Sequence, residues 1–202
     1  MAGLNARSVL VTGSNRGIGF ELVRQLVGKS NRPEWIFATC REPEGPRAQV
    51  LKDLAAKHQG VEIIPLDISE PSSVKDAATR VTERLKGVGL TLLINNAGIA
   101  RVKAMEAETP EDMSEVYKTN VIGPMMVVQA ALNMLTRCQS LGYANDKILC
   151  IALHPGFVQT DMTGGGLLTV NESVQSILKT LSHLSEKDTG TFVNWQGDVL
   201  PW

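Results

Sequence analysis

The sequence predicts an α/β protein built on a doubly wound parallel sheet, and three observations carry that prediction. Short apolar runs rich in β-branched residues alternate with stretches whose apolar residues recur at three- and four-residue steps. A glycine-spaced turn, Gly13-Ser14-Asn15-Arg16-Gly17-Ile18-Gly19, joins the first such strand to the first such helix. A later run, Leu90 to Ile94, is mostly apolar, as a parallel strand buried on both faces must be. The 202 residues suit a single domain over 1–202 with a core large enough to fold alone.

In chain order, Val9-Leu10-Val11 is the first strand, and Phe20, Leu22, Val23, Leu26 and Val27 give the helix after it one buried face. Strand, turn and helix N-terminus together make an anion site, because free backbone N–H groups and the positive end of the helix dipole face whatever lies above the turn. Gly13 permits the tight turn, Gly17 lets backbone approach a diphosphate, and Gly19 lets helix and strand pack closely. Pro33 breaks the pattern, and Trp35 to Thr39 reads as a second buried strand. Arg41 follows, about 20 residues past the turn, where a dinucleotide fold meets the adenosine ribose. An acid there would accept from a free 2′-hydroxyl. Arg41, with Arg16 in the turn, can instead fork onto a 2′-phosphate, which favours NADP(H) over NAD(H). The bland alternative is that both are solvated surface charge. Glu42, one residue late, is expected to point away.

Ala48 to His58 is a short amphipathic helix, and Val61 to Leu66 is a third strand ending at Asp67. Ser69 as cap and Pro71 in the first turn open a helix to about Lys86. Pro110 and Glu111 begin a long helical pattern to about Leu141, kinked at Gly123-Pro124 and stopped by Gly142. Lys147 to Leu153 is a buried strand, and Gly164-Gly165-Gly166 is a loop on the substrate side. Thr169-x-x-Glu172 is a capping box opening a helix to about His183, and Thr191-Phe192-Val193 is the last strand.

Charge is balanced at −1 and 43% of residues are hydrophobic, which argues against a nucleic-acid or membrane-surface binder. Met1 to Arg7 has no long apolar core, so no signal peptide is expected, and no run approaches the ~20 apolar residues of a membrane helix. Cys40, Cys138 and Cys150 read as reduced, buried thiols of a cytoplasmic protein. His58, His154 and His183 show no metal-ligand spacing, so no metal site is expected.

The spacing Thr-Gly-x-x-x-Gly-x-Gly at Thr12 to Gly19 resembles the fingerprint of the short-chain dehydrogenase/reductase family. Asn95-Asn96-Ala97-Gly98, Lys118-Thr119-Asn120 and Pro155-Gly156-Phe157-Val158-Gln159-Thr160 follow in the family's order. Within it the chain resembles the carbonyl-reductase-like branch of the sniffer and C-signal proteins, with a similar ending from Gly190 to Trp202. The resemblance implies a Rossmann-type sheet binding NADP(H) through Gly13, Ser14, Asn15, Arg16, Gly17, Ile18, Gly19, Arg41, Asp67, Ile68, Asn95, Ala97, Gly98, Pro155, Gly156, Val158 and Thr160. Asp67 would hold the adenine amino group, or be no more than a turn acid; Asn95 would tie neighbouring strands through its amide.

The family's reductases use asparagine, serine, tyrosine and lysine on a small carbonyl substrate. Tyrosine donates a proton, and its pKa near 10 must fall beside an ammonium placed one helical turn away. Asn120 matches the asparagine. Between Asn120 and Pro155 the text offers one continuous helical pattern and no strand before Ile148. The Asn120 to Ala130 stretch resembles the start of the family's fifth helix, and Ala131 to Arg137 the tail of its sixth. An internal deletion joining them near Ala130 removes the serine, the Tyr-x-x-x-Lys pair and the family's fifth strand. Tyr143 and Lys147 have the right spacing but straddle helix-ending residues, and Tyr117 has valine four residues on. The expectation is a crippled NADP(H)-dependent oxidoreductase of the carbonyl reductase type, or a nucleotide-binding regulatory form without turnover. The fourth strand would then meet either the Ile148 strand or a gap, and an exposed edge would favour a homo-oligomer.

Overall fold

The first strand is a run of four fully buried residues, Ser8–Val11 (β1), and everything that positions the cleft is laid out from it. The computed structural model describes residues 4–86, 88–100, 107–128, 149 and 151–200. Trp35–Cys40 (β2), Val61–Pro65 (β3) and Leu92–Ile94 (β4) join β1 in a parallel sheet of order β3-β2-β1-β4. The register sets Val9 beside Ile36 on one side and beside Leu92 on the other.

Helices cover both faces. Gly17–Val27 (α1) and Gln49–Lys57 (α2) bury Leu22, Leu26 and Leu51 against Val9, Val11, Ile36 and Ala38. Pro71–Leu85 (α3) buries Val74, Ala77 and Val81 against Leu10, Phe37 and Ile64 on the opposite face. Odd and even residues of β1 thus enter two separate cores, the alternation a doubly wound sheet requires.

Proline opens α3 as expected, but the cap is Glu70 and not Ser69. The Ser69 hydroxyl is already committed, donating to Asp67 Oδ1 at 2.6 Å. Pro110–Tyr117 (α4) starts at Thr109, whose hydroxyl accepts from Asp112 N. It then widens into a π-helical turn over Lys118–Ile122, with the Gly123 N–H donating to the Lys118 carbonyl, and continues through 123–128. An i→i+5 widening therefore stands immediately before Gly123-Pro124, where a kink was expected. The remainder of that expected helix, the junction near Ala130, Cys138, Gly142, Tyr143, Lys147, Ile148 and Cys150 lie outside the described residues.

Ala152–His154 (β5), Phe192–Asn194 (β6) and Val199–Leu200 (β7) form a second sheet, β5-β6-β7. The β5–β6 pair is parallel and β6–β7 antiparallel, so a hairpin follows the strand expected to be the last. Val170–Leu181 (α5), opened by the predicted Thr169/Glu172 capping box, packs Val174, Ile177 and Leu178 into the same core as α1. Among the described residues no strand bridges β4 and β5. β4 is half-buried along its length instead of fully buried, and the Ile148 strand that was the alternative to a gap lies outside the described residues.

Candidate functional site

The chain leaves β1 through Thr12 and turns at Gly13, whose φ is +68°. A side chain there would stand 2.9 Å from Ala97 Cα, so the turn needs glycine for both conformation and space. Gly17 is needed for its φ of +54° alone, with Thr160 Cγ2 3.8 Å away. A Cβ at Gly19 would overlap the Gly13 carbonyl oxygen and lie 2.6 Å from Asn96 Nδ2, so helix and strand do meet there.

Ser14 is fully buried and turned inward: its N–H donates to the Thr39 carbonyl and its hydroxyl to the Val11 carbonyl, both at 2.8 Å. It shapes the turn from within and does not line the cleft. Asn15, Arg16, Gly17 and Ile18 do line it. No side chain caps α1 and no acid stands in its first turn, so its first N–H groups face the cleft uncompensated.

Among the described residues the asparagine that ties β4 to β1 is Asn96. Asn96 Nδ2 donates to the Thr12 carbonyl at 2.9 Å and the Gly13 carbonyl at 3.2 Å, while the Asn96 and Ala97 amides both donate to Thr12 Oγ1 at 3.0 Å. Asn95 is exposed on the cleft wall beside Ala97 and Gly98. Side chains alternate along an extended chain, so which of two adjacent asparagines faces inward depends on register.

Among the described residues Arg16, Arg41 and Arg47 line the cleft, the last on a short 3₁₀ turn over Pro46–Ala48. Arg47 was missed by the sequence reading, though its place in the loop after β2, six residues beyond Arg41, was a usable signal. Arg16 Nη1 holds Asp161 Oδ2 at 2.9 Å, bridging the glycine turn to the loop after β5. Glu42 is among the residues lining the cavity, and its carboxylate sits beside Gly45. Asp67 and Ile68 line it too, and Asp67 acts as a turn acid, accepting from Ser69 N at 2.9 Å. The thiol of Cys40, buried at the end of β2, is held above the usual cysteine range by that burial.

On the far wall, Pro155 and Thr160 line the cleft together with Gln159. Gly156 and Val158 do not. Gly156 has φ of +88° and packs against Leu168 and Trp195, while Val158 is buried in a bridge to Leu168. Buried Ser173 of α5 fixes this wall by donating to the Pro155 carbonyl at 2.7 Å.

Asn120 sits in the π turn, with both ends of its amide bound to the Ile99 backbone: Ile99 N donates to Oδ1 at 2.9 Å, and Nδ2 donates to the Ile99 carbonyl at 2.8 Å. Its side chain pins the helix to the loop after β4. Of the two tyrosines, Tyr117 is exposed on α4 and not in the cleft wall. Among the described residues no helix is long and apolar enough to cross a membrane, and no cluster of acidic, histidine and cysteine side chains could hold a metal ion.

Several known proteins share this architecture. The NADPH-bound carbonyl reductase from chicken fatty liver superposes with a TM-score of 0.91 at 47% identity, over 100% of this chain and 96% of that one. Carbonyl reductase Sniffer of D. melanogaster superposes with a TM-score of 0.88 at 28% identity, over 97% and 99%. An uncharacterized oxidoreductase of Schizosaccharomyces pombe is 28% identical over 250 residues, covering 95% of this chain and 96% of that protein. A family model described as short chain dehydrogenase matches residues 7–135, and the chain belongs to that family.

Proposed function

We propose that the chain, as a single domain over residues 1–202, binds NADP(H) across the Gly13–Gly19 turn and reduces carbonyl substrates at a rate near background. The observation that carries the cofactor reading is the uncapped, acid-free N-terminus of α1 opening into a cleft lined by Arg16, Arg41 and Arg47. A diphosphate fits the first feature and a 2′-phosphate the second. That a relative 47% identical carries NADPH agrees with this reading.

When bound, the cofactor supplies hydride. This chain's residues would hold and orient it: the α1 amides at the diphosphate, Asp67 and Ile68 beside the base, and Ala97, Gly98, Pro155 and Thr160 along the remainder. Asn120 keeps the loop after β4 in place. Reduction also needs a positioned acid, and its loss costs ~10²–10⁴ in rate. Tyr117 faces outward, and the Tyr143/Lys147 pair lies outside the described residues. The deletion reading gains support from alignment length, since 250 aligned residues against a chain of 202 must open gaps in the shorter partner.

Equilibrium titration with NADPH and NADH tests the cofactor half. Saturable NADPH binding, weakened about tenfold or more by Arg41→Glu with NADH affinity little changed, is the expected result. No saturable binding of either nucleotide would refute it.

A further inference from the structure

We propose that Lys118, in the π turn that follows α4, positions the cleft wall that meets the cofactor's adenosine half. The inference rests on the cofactor reading above and adds a residue to it. Lys118 Nζ reaches Glu70 Oε1 at 2.8 Å. Glu70 closes the turn after β3, its N–H donating to the Asp67 carbonyl at 3.1 Å. Within that turn Asp67 Oδ1 accepts from Ser69 N at 2.9 Å and from the Ser69 hydroxyl. Asp67 and Ile68 line the cleft. The ammonium therefore grips one end of a hydrogen-bonded turn whose other end is cleft wall.

Backbone packing supports the same grip. A Cβ at Gly123 would stand 2.9 Å from the Ile68 carbonyl oxygen and 3.0 Å from Ile68 Cγ1, so the helix lies directly on the turn. Between these two contacts, Thr119 lines the cleft and Asn120 holds Ile99 in the loop after β4. One widened turn thus holds the loops after β3 and β4, and π turns recur at functional sites. Lys118 also balances charge. The hydrogen bond to Glu70, with the charges of Glu70 and Asp67, holds its ammonium above the usual lysine range. Without it, both carboxylates would face an anionic ligand with no counter-charge from this turn.

The test uses the full chain with adenosine 2′,5′-bisphosphate, the adenosine half of NADPH, as probe. Lys118→Met should weaken the bisphosphate about threefold or more. It should also quicken hydrogen exchange at the Ser69 and Glu70 amides while the Ser14 amide of the glycine turn keeps its protection. Lys118→Arg should keep both properties, and Glu70→Lys should restore what Lys118→Glu alone loses. Unchanged affinity, unchanged exchange at both amides, equal quickening at Ser14, or no rescue by the paired exchange would overturn the proposal. An unmodified chain that binds neither the bisphosphate nor NADPH sinks the cofactor reading as well. Binding by the unmodified chain that Lys118→Met leaves intact sinks this inference alone.

Discussion

The two sheets differ in how they are held. In the four-stranded sheet β1 is buried throughout, and β2 is buried from its second residue on, between helices on both faces. In the three-stranded sheet β5 has no buried residue and β6 has one, Val193. The first sheet carries the phosphate cradle and the second carries only the far wall of the cleft. Among the described residues two polar joints tie the first sheet's α1 and glycine turn to the elements of the second. Glu21 of α1 accepts from Asn171 of α5 at 3.0 Å while Arg24 forks onto it, and Arg16 reaches Asp161. The binding half therefore stands on packed core, and among the described residues the second sheet meets it through α5, which shares the α1 core, and through these side chains.

If that contrast is right, damage to the first sheet should cost most. Gly13→Ala forces a left-handed backbone and crowds Ala97, so it should lower stability by roughly 2–4 kcal/mol in denaturant unfolding. A change too small to measure would mean that the turn can relax. Asn96→Ala leaves the Thr12 and Gly13 carbonyls without their side-chain donor, at about 1–3 kcal/mol. Ser173→Ala, its counterpart on the second sheet, should cost less than Asn96→Ala and move Pro155 more than the glycine turn. Equal losses would erase the distinction between the halves.

The joints give smaller effects. The guanidinium of Arg24 holds the Glu21 carboxyl below the usual glutamate range, assisted by Gln25 and Asn171 against the opposing cost of burial. A carboxyl whose folded pKa is depressed contributes stability that is complete above its unfolded value, about 4.3, and lost as pH falls through the lower folded value. Thermal unfolding from pH 7 down to acid should show that loss, flattened in Glu21→Gln. An unchanged acid limb would remove Glu21 from the joint. The exposed Arg16–Asp161 pair should matter least to folding, so Asp161→Asn should shift stability by less than about 1 kcal/mol. By freeing Arg16 it should tighten NADPH and leave NADH unaffected, a split that competition titration reads directly.

The same contrast decides what was legible in the sequence. β1 to β3, α1 to α3 and the Thr169 box follow from periodicity and capping chemistry that act over a few residues; each lies within a residue or two of its expected place except the start of α1, which begins at Gly17, inside the glycine turn, and not after it. What depends on tertiary register was not legible. Asn95 and Asn96 are identical as text, and only the pairing of β4 with β1 selects Asn96. Ser69 reads as a cap until Asp67 claims its hydroxyl. Val158 belongs to the family's turn motif yet is buried, because it bridges to Leu168, while the neighbouring Gly156 packs on Leu168 and Trp195. The Gln196-Gly197 turn before β7 carried a glycine signal, realised at φ of +96°, that should have announced the hairpin.

If the cradle is kept while the proton donor is lost, NADPH should bind and stay unoxidised. The most direct measurement is NADPH oxidation by the purified chain, first shown to be loaded with NADPH, against aldehydes, ketones and quinones. Binding with oxidation no faster than the chain-free background is the predicted result. Sustained multiple turnovers, abolished by removing one tyrosine of the chain, would contradict it.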